Sequence, residues 1–253
     1  MTNIPTLVAH RGYMHCYPEN SLIGLEAALR AGACILEFDL QMTADGEYML
    51  LHDATLKRTA GKDVSIFEST AERLSQFSVH EPNRFGERFF PTPIPRLTEA
   101  LQLLKRCPKA CALVEIKEES ITRWGLKTVL GPLLNALEPY RQQCVLISYE
   151  DEVLVFAHQQ GGWPVGWVLH RYDNNHKVKA QAIQPQLLIC NVRKIPQKQL
   201  LWQGPWRWMI YDLMNPELAL SWADKGAELI ETADIGGMLS DPRLVEKACH
   251  HGL

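Results

Sequence analysis

The sequence has no apolar run approaching the roughly 20 residues that a membrane-spanning helix needs. Its opening, MTNIPTLVAHRG, has neither a basic start nor an apolar stretch ending in small residues. Neither a secretory signal nor stable membrane insertion is expected, and a cytoplasmic location is. A dominant charge is also missing: 26 Lys and Arg stand against 29 Asp and Glu, for a net charge of −3. Such a chain has no long-range attraction for nucleic acid or an anionic membrane, so no nucleic-acid partner is expected. An anionic substrate would need local positive charge, from a metal ion or a few basic side chains. The 7 Cys are odd in number and show no paired spacing, which argues against a disulfide framework. Cys107 and Cys111 lack a companion His or Cys pair, so zinc is not expected there, and the thiols are read as free. Internal repeats and low-complexity tracts are absent.

What is present fits one large α/β domain over residues 1–253, with 46% hydrophobic and 22% charged residues, enough to bury a substantial core. Short apolar runs alternate with helical patterns, the rhythm of a parallel sheet. Strands are expected at 6–9, 35–40, 48–51, 110–116, 145–148, 165–169, 187–190, 208–213 and 228–230. Asn20 or Ser21 offers a cap for a helix that Gly32 stops. Further helical patterns cover 97–104 and 216–225. Ala44-Asp45-Gly46 is a turn signal too short for a helical crossover, so the second and third strands read as a hairpin. Nine strands are one too many for a TIM-type (β/α)8 barrel, and the hairpin accounts for the surplus. Residues 54–95, rich in Gly, Pro and charge with only a weak helix near 69–77, read as an insertion or long loop after the third strand.

Ionisable residues gather at the ends of the early strands. The first ends in His10-Arg11-Gly12, the second carries Glu37 and Asp39, the third ends in His52-Asp53, and the fourth ends in Glu115-Ile116-Lys117. In a barrel these ends form the face where active sites sit. Glu37 and Asp39, two apart, share one face of their strand. The hairpin register puts His52 roughly opposite Asp39. Carboxylates crowded among Ile35, Leu36, Phe38 and Leu40 repel one another unless a cation neutralises them. With Glu115 they make three hard oxygen donors, which suit Mg²⁺ or Ca²⁺ better than zinc.

The string AHRG followed by PENS, then GACILEFDLQMTADGEYMLLHD, then VEIK, resembles the glycerophosphodiester phosphodiesterase family. The likeness is strong over residues 7–53, returns around 94–117 and fades toward the C-terminus. Four motifs in order at compatible spacings make it specific. The resemblance implies a barrel enzyme that hydrolyses glycerophosphodiesters to glycerol phosphate and an alcohol. It implies His10 and His52 as acid and base, Glu37, Asp39 and Glu115 as ligands of a divalent metal, and Arg11 and Lys117 as phosphate contacts. Pro18, Glu19 and Asn20 match the first-loop motif, with Asn20 near the substrate. The chemistry agrees: a phosphodiester's negative charge deters nucleophiles, so a metal and basic clamps must spread it. The nucleophile can be water or a neighbouring hydroxyl of the glycerol moiety.

Other residues carry less. Asp53 and Arg58 suit ligand roles, and equally loop-capping or salt-bridge roles, while Glu118 and Glu119 suit a solvated helix start. Trp202, Trp206 and Trp208 read as shell packing rather than a stacking platform. The family usually has an aromatic-Thr-Val-Asn pattern on a late strand and Thr-Asp on the last, where this chain has Tyr211-Asp212-Leu213-Met214 and Glu231-Thr232-Ala233-Asp234. Met214 is therefore expected in the substrate wall, with weaker headgroup discrimination or an acyl preference. A same-fold phosphodiesterase acting on a lysophospholipid or other lipid headgroup, and a non-catalytic phosphoester binder, stand as alternatives.

Overall fold

Strict alternation along one strand sets the architecture. In β2 (Ile35–Met42), Leu36, Phe38 and Leu40 join the outer apolar layer, while Ile35 packs into the barrel interior. Glu37 and Asp39 share the inward face with Ile35. The computed structural model that shows this describes residues 3–196 and 199–252. Eight parallel strands close the barrel: β1 (Thr6–Ala9), β2, β4 (Cys111–Ile116), β5 (Cys144–Ser148), β6 (Val165–Val168), β7 (Leu187–Asn191), β8 (Arg207–Tyr211) and β9 (Ala227–Thr232). β1 closes it by pairing with β2 on one side and β9 on the other. This is the expected TIM-type barrel, with helices between strands covering the outside.

The ninth strand, β3 (Tyr48–Leu50), is the antiparallel hairpin partner of β2. One edge of β2 is taken by β4 from Ile35 to Leu40. The opposite edge is shared: β1 takes Ile35 and Leu36, and β3 takes Leu40 to Met42. β3 therefore fills the stretch of β2 above the end of β1. That placement carries residues 51–53 to the barrel mouth beside the end of β1. The register corrects one expectation. Leu40 faces Leu50, and the Leu51 amide donates to the Asp39 carbonyl at 3.1 Å, so Leu51 and not His52 stands opposite Asp39. His52 lies one residue past the pairing, where the chain has left the ladder.

Inside the barrel, Val8, Leu113, Ile147, Val168, Leu187, Ile189, Met209 and Leu229 form a tight apolar floor. Gly166 is required there: a Cβ on it would stand 2.9 Å from Ile147 Cγ2 and 3.1 Å from Leu187 Cβ. The segment between β3 and β4 is folded rather than a bare loop. Short helices at Lys57–Ala60, Ala71–Leu74 and Pro82–Phe85 surround an apolar cluster that includes Leu56, Ile66, Leu74, Val79 and Ile94. Trp206 and Trp208 pack in the outer layer, and both indole N–H groups donate to the Trp202 carbonyl, at 3.2 and 2.9 Å. Among the described residues, no helix is long and apolar enough to cross a membrane.

The cysteines overturn an expectation. Cys34 and Cys249 form a disulfide across 215 residues of sequence, and Cys16, Cys107, Cys111, Cys144 and Cys190 are free. The fold alone brings the pair together, so no local spacing signals it. The bond sits just before β2, at the barrel end opposite the His10 and Glu115 strand ends, and the Cys249 amide donates to the Gly32 carbonyl at 2.9 Å. Alkylation of the unreduced, denatured protein should label five cysteines, and reduction should lower Tm by about 5–10 °C, since closing so long a loop is worth a few kcal/mol. Labelling of all seven without reductant would refute the pairing.

Candidate active site

The site is built outward from the end of β1. A Cβ on Gly12 would lie 2.7 Å from the Gly24 backbone, so the His10–Arg11–Gly12 turn docks directly on the helix Leu22–Arg30. Ser21 caps that helix through Gly24 N–H, which leaves Asn20 free for another task. Arg11 and Asn20 both hold left-handed backbone, φ 51° each, a conformation uncommon for residues with a Cβ. They are joined by a hydrogen bond from the Asn20 amide to the Arg11 carbonyl, 3.1 Å. The Asn20 side chain then clamps Asp39 from both ends: its Nδ2 donates to Asp39 Oδ2 at 2.9 Å, and its Oδ1 accepts the Asp39 amide at 3.0 Å. Asn20, expected near the substrate, is buried and is not among the residues that line the cavity.

The cavity at the barrel mouth holds about 160 Å³. His10, Arg11, His52, Glu115, Lys117, Tyr149, Tyr211, Asp212 and Glu231 line it above a floor of Ile147, Val168, Ile189 and Met209. Of the expected residues, His10, His52, Arg11, Lys117 and Glu115 meet here. Glu37 and Asp39 lie directly behind, 2% and 1% exposed. Oxygens of Glu37, Asp39 and Glu115 come within 4.8 Å of one another, a spacing that a cation can bridge. Glu37 Oε2 accepts the Arg11 amide at 2.9 Å, while Glu37 Oε1 is buried without a partner. The donor set therefore fits a hard divalent cation.

Electrostatics follow from this crowding. Burial, then the neighbouring Asp39 and Glu231 charges, push Glu37 well above the carboxylate range. Glu115 and Glu231 also rise, by burial first and then by a neighbouring charge, Asp39 for Glu115 and Glu115 for Glu231. Burial acts the same way on Asp39, but Arg11, Lys117 and His52 outweigh it and hold Asp39 low. Lys117 Nζ lies 2.6 Å from Glu115 and 3.4 Å from Asp39. Arg11 Nε lies 2.9 Å from Asp39 Oδ2 without an aligned hydrogen bond, an attraction of charge alone.

The second histidine is held by a chain of ion pairs. His52 Nδ1 meets Asp53 Oδ1 at 2.6 Å, which turns Nε2 toward the cavity. Arg58 grips Asp53 through Nε at 2.8 Å and Glu19 through both terminal nitrogens, at 2.6 and 2.8 Å. Glu19 in turn accepts Arg11 Nη1 at 3.0 Å. One guanidinium from the inserted segment thus links the histidine of one loop to the arginine of another.

Sequence reasoning missed several lining residues. Glu231 follows Leu229 by two on β9, the same inward step that identified Glu37 and Asp39, so the signal was there. Tyr149 and Tyr211 lie just beyond or at their strand ends, and their hydroxyls meet at 2.6 Å. Asp212 has φ 67°, a left-handed kink that no sequence pattern marks. Met214 is corrected: it is 57% exposed and outside the cavity, and β8 turns Met209 and Tyr211 inward, a period-two set to which Met214 does not belong.

A model of the glycerophosphoryl diester phosphodiesterase family matches residues 10–161, more than half of the chain. A glycerophosphodiester phosphodiesterase of Bacillus altitudinis is 30% identical over 155 residues, 61% of this chain and 58% of that protein. Another from Caldanaerobacter subterraneus is 33% identical over 149 residues, 59% of this chain and 56% of that protein. The chain thus matches less than two thirds of either relative's length. Two solved structures share the fold. An Oleispira antarctica phosphodiesterase in complex with the product sn-glycerol-3-phosphate has TM-score 0.79 at 19% identity, covering 94% of this chain and 96% of that one. A glycerophosphodiester phosphodiesterase of Agrobacterium tumefaciens has TM-score 0.72 at 18% identity, covering 94% and 100%.

Burial, reinforced by the Arg11 charge, lowers the His10 pKa to about 4, against the partial opposition of Asp39 and Asp212. The imidazole should then stay neutral down to about pH 4. Below its unfolded value near 6.5 the unfolded chain binds a proton that the folded chain refuses, so this group withdraws stability as pH falls from about 6.5 to 4. A histidine NMR titration should find the His10 ring neutral at pH 5.5. A midpoint near 6.5 would contradict the burial argument.

Proposed function

The chain belongs to the glycerophosphoryl diester phosphodiesterase family, and from that premise we propose that it hydrolyses glycerophosphodiesters to glycerol phosphate and an alcohol. One observation carries the reading: two imidazoles and two fixed cations border a single cavity at the barrel mouth, with a cation-ready carboxylate set in and directly behind its wall. The fold neighbour in complex with sn-glycerol-3-phosphate supports a small glycerol-based substrate.

Glu37, Asp39 and Glu115 would hold Mg²⁺ or Ca²⁺, with Asn20 fixing Asp39 in position. When bound, such an ion supplies charge neutralisation at the phosphodiester oxygens. Arg11 and Lys117 orient the phosphate from the cavity wall and add to that neutralisation. His10, kept neutral by burial, accepts the proton of the attacking water or glycerol hydroxyl on Nε2. The new oxygen–phosphorus bond forms as the bond to the alcohol oxygen breaks. His52, its ring fixed by Asp53 at Nδ1, delivers a proton from Nε2 to that leaving oxygen. The apolar floor and the Tyr149–Tyr211 pair exclude bulk water below and beside the phosphate.

A panel of glycerophosphodiesters, assayed after chelation and again with Mg²⁺ or Ca²⁺ restored, tests the reading. Turnover should vanish and return. His10→Ala and His52→Ala should each lower kcat by roughly 10²–10⁴-fold with unchanged melts, as for a positioned acid or base. Full turnover after exhaustive chelation, or near-normal kcat in either variant, would remove the corresponding role.

A further inference from the structure

The carboxylates of the barrel mouth are not all accounted for by one ion. Glu231 on β9 is 4% exposed, and its Oε1 has no hydrogen-bond partner. Glu37, 2% exposed, carries a second such oxygen. Donor atoms of Glu37, Glu231 and His10 lie within 4.8 Å of one another, with His10 Nε2 4.0 Å from Glu37 Oε2. The register explains the meeting: β9 pairs Glu231 with Val8, one inward step below His10. By contrast Lys117 already sits between Asp39 and Glu115, and no comparable basic group reaches Glu231 among the described ion pairs.

We propose that the mouth contains a second, inhibitory divalent-cation position formed by Glu37, Glu231 and His10, sharing Glu37 with the Glu37–Asp39–Glu115 set. Its chemistry differs from that of its neighbour. Two carboxylates and an imidazole favour a borderline cation such as Zn²⁺, whereas three carboxylates favour Mg²⁺ or Ca²⁺. A cation bound there takes the Nε2 lone pair of His10, which then accepts no proton. The inhibitory part rests on the proposed proton role of His10; the binding part does not. The solvent-facing cluster of Glu118, Glu150 and His170 has no such orphaned oxygen and makes no second claim.

Zn²⁺ stoichiometry tests the position without substrate. Chelated and dialysed protein is titrated with Zn²⁺ by calorimetry, and bound metal is counted by elemental analysis. Wild type should bind two ions, and Glu231→Gln and Glu115→Gln one each, with melts recorded to confirm folding. A single Zn²⁺ per wild-type chain overturns the proposal and needs no variant. Two ions retained by a folded Glu231→Gln overturn it as well. With Mg²⁺ saturating, the second Zn²⁺ should cut wild-type turnover roughly 100-fold or more, as loss of a positioned base does. Undiminished turnover with two Zn²⁺ bound overturns the inhibitory assignment. Two bound Zn²⁺ in a protein inactive on every diester would support the position while failing the proposed function.

Discussion

Carboxylates turned into the barrel and removed from water are the constraint around which the mouth is organised. Glu37 and Asp39 face inward because Leu36, Phe38 and Leu40 must face outward, into the layer shared with the helices. Each such apolar side chain, fully buried, is worth about 1.5–3 kcal/mol, so the strand cannot rotate to expose its acids. With Glu115 and Glu231 they make four carboxyl groups, and Arg11 and Lys117 supply two fixed cations near them. The remaining imbalance is met by protonation or by a divalent ion.

The inserted segment works with that cluster rather than apart from it. β3 occupies the edge of β2 that the short β1 leaves open, which brings His52 over the mouth. Arg58 then ties Asp53 to Glu19, and Glu19 holds Arg11 beside Asp39. The positions of His52 and Arg11 are therefore coupled through one guanidinium. Glu81 adds a further tie from the same segment, accepting the Glu19 amide at 2.7 Å. A surface excursion of 40 or so residues with its own apolar cluster is thereby anchored to the first loop of the barrel.

Much of this was legible in the sequence, and the reasons are local. Period-two alternation identified Glu37 and Asp39, and strand-end position identified His10, His52, Glu115 and Lys117. Ser21 and Asn20 competed for one cap, and the structure divided the tasks between them. What escaped depends on closure of the barrel. Glu231 reaches the first strand only because β9 pairs with β1, and Cys34 meets Cys249 across the whole chain. Met214 was misplaced because it lies three residues past Tyr211, the last inward residue of β8, and so out of step with the strand period. Arg58 was open to ligand, capping and salt-bridge roles, and its two partners, Asp53 and Glu19, could not be named before the loops were in place.

The central claim is that these buried carboxylates form a cation site, and thermal melts of the chelated protein test it without reference to turnover. Titration with Mg²⁺ or Ca²⁺ should raise Tm in a saturable way, because a ligand bound only by the folded state stabilises it. At about 100-fold excess over Kd the gain is about 2.7 kcal/mol, or roughly 5–10 °C for a chain of this length. Glu37→Gln should abolish the rise. A wild-type Tm indifferent to either cation, or an undiminished rise in Glu37→Gln, would contradict the account.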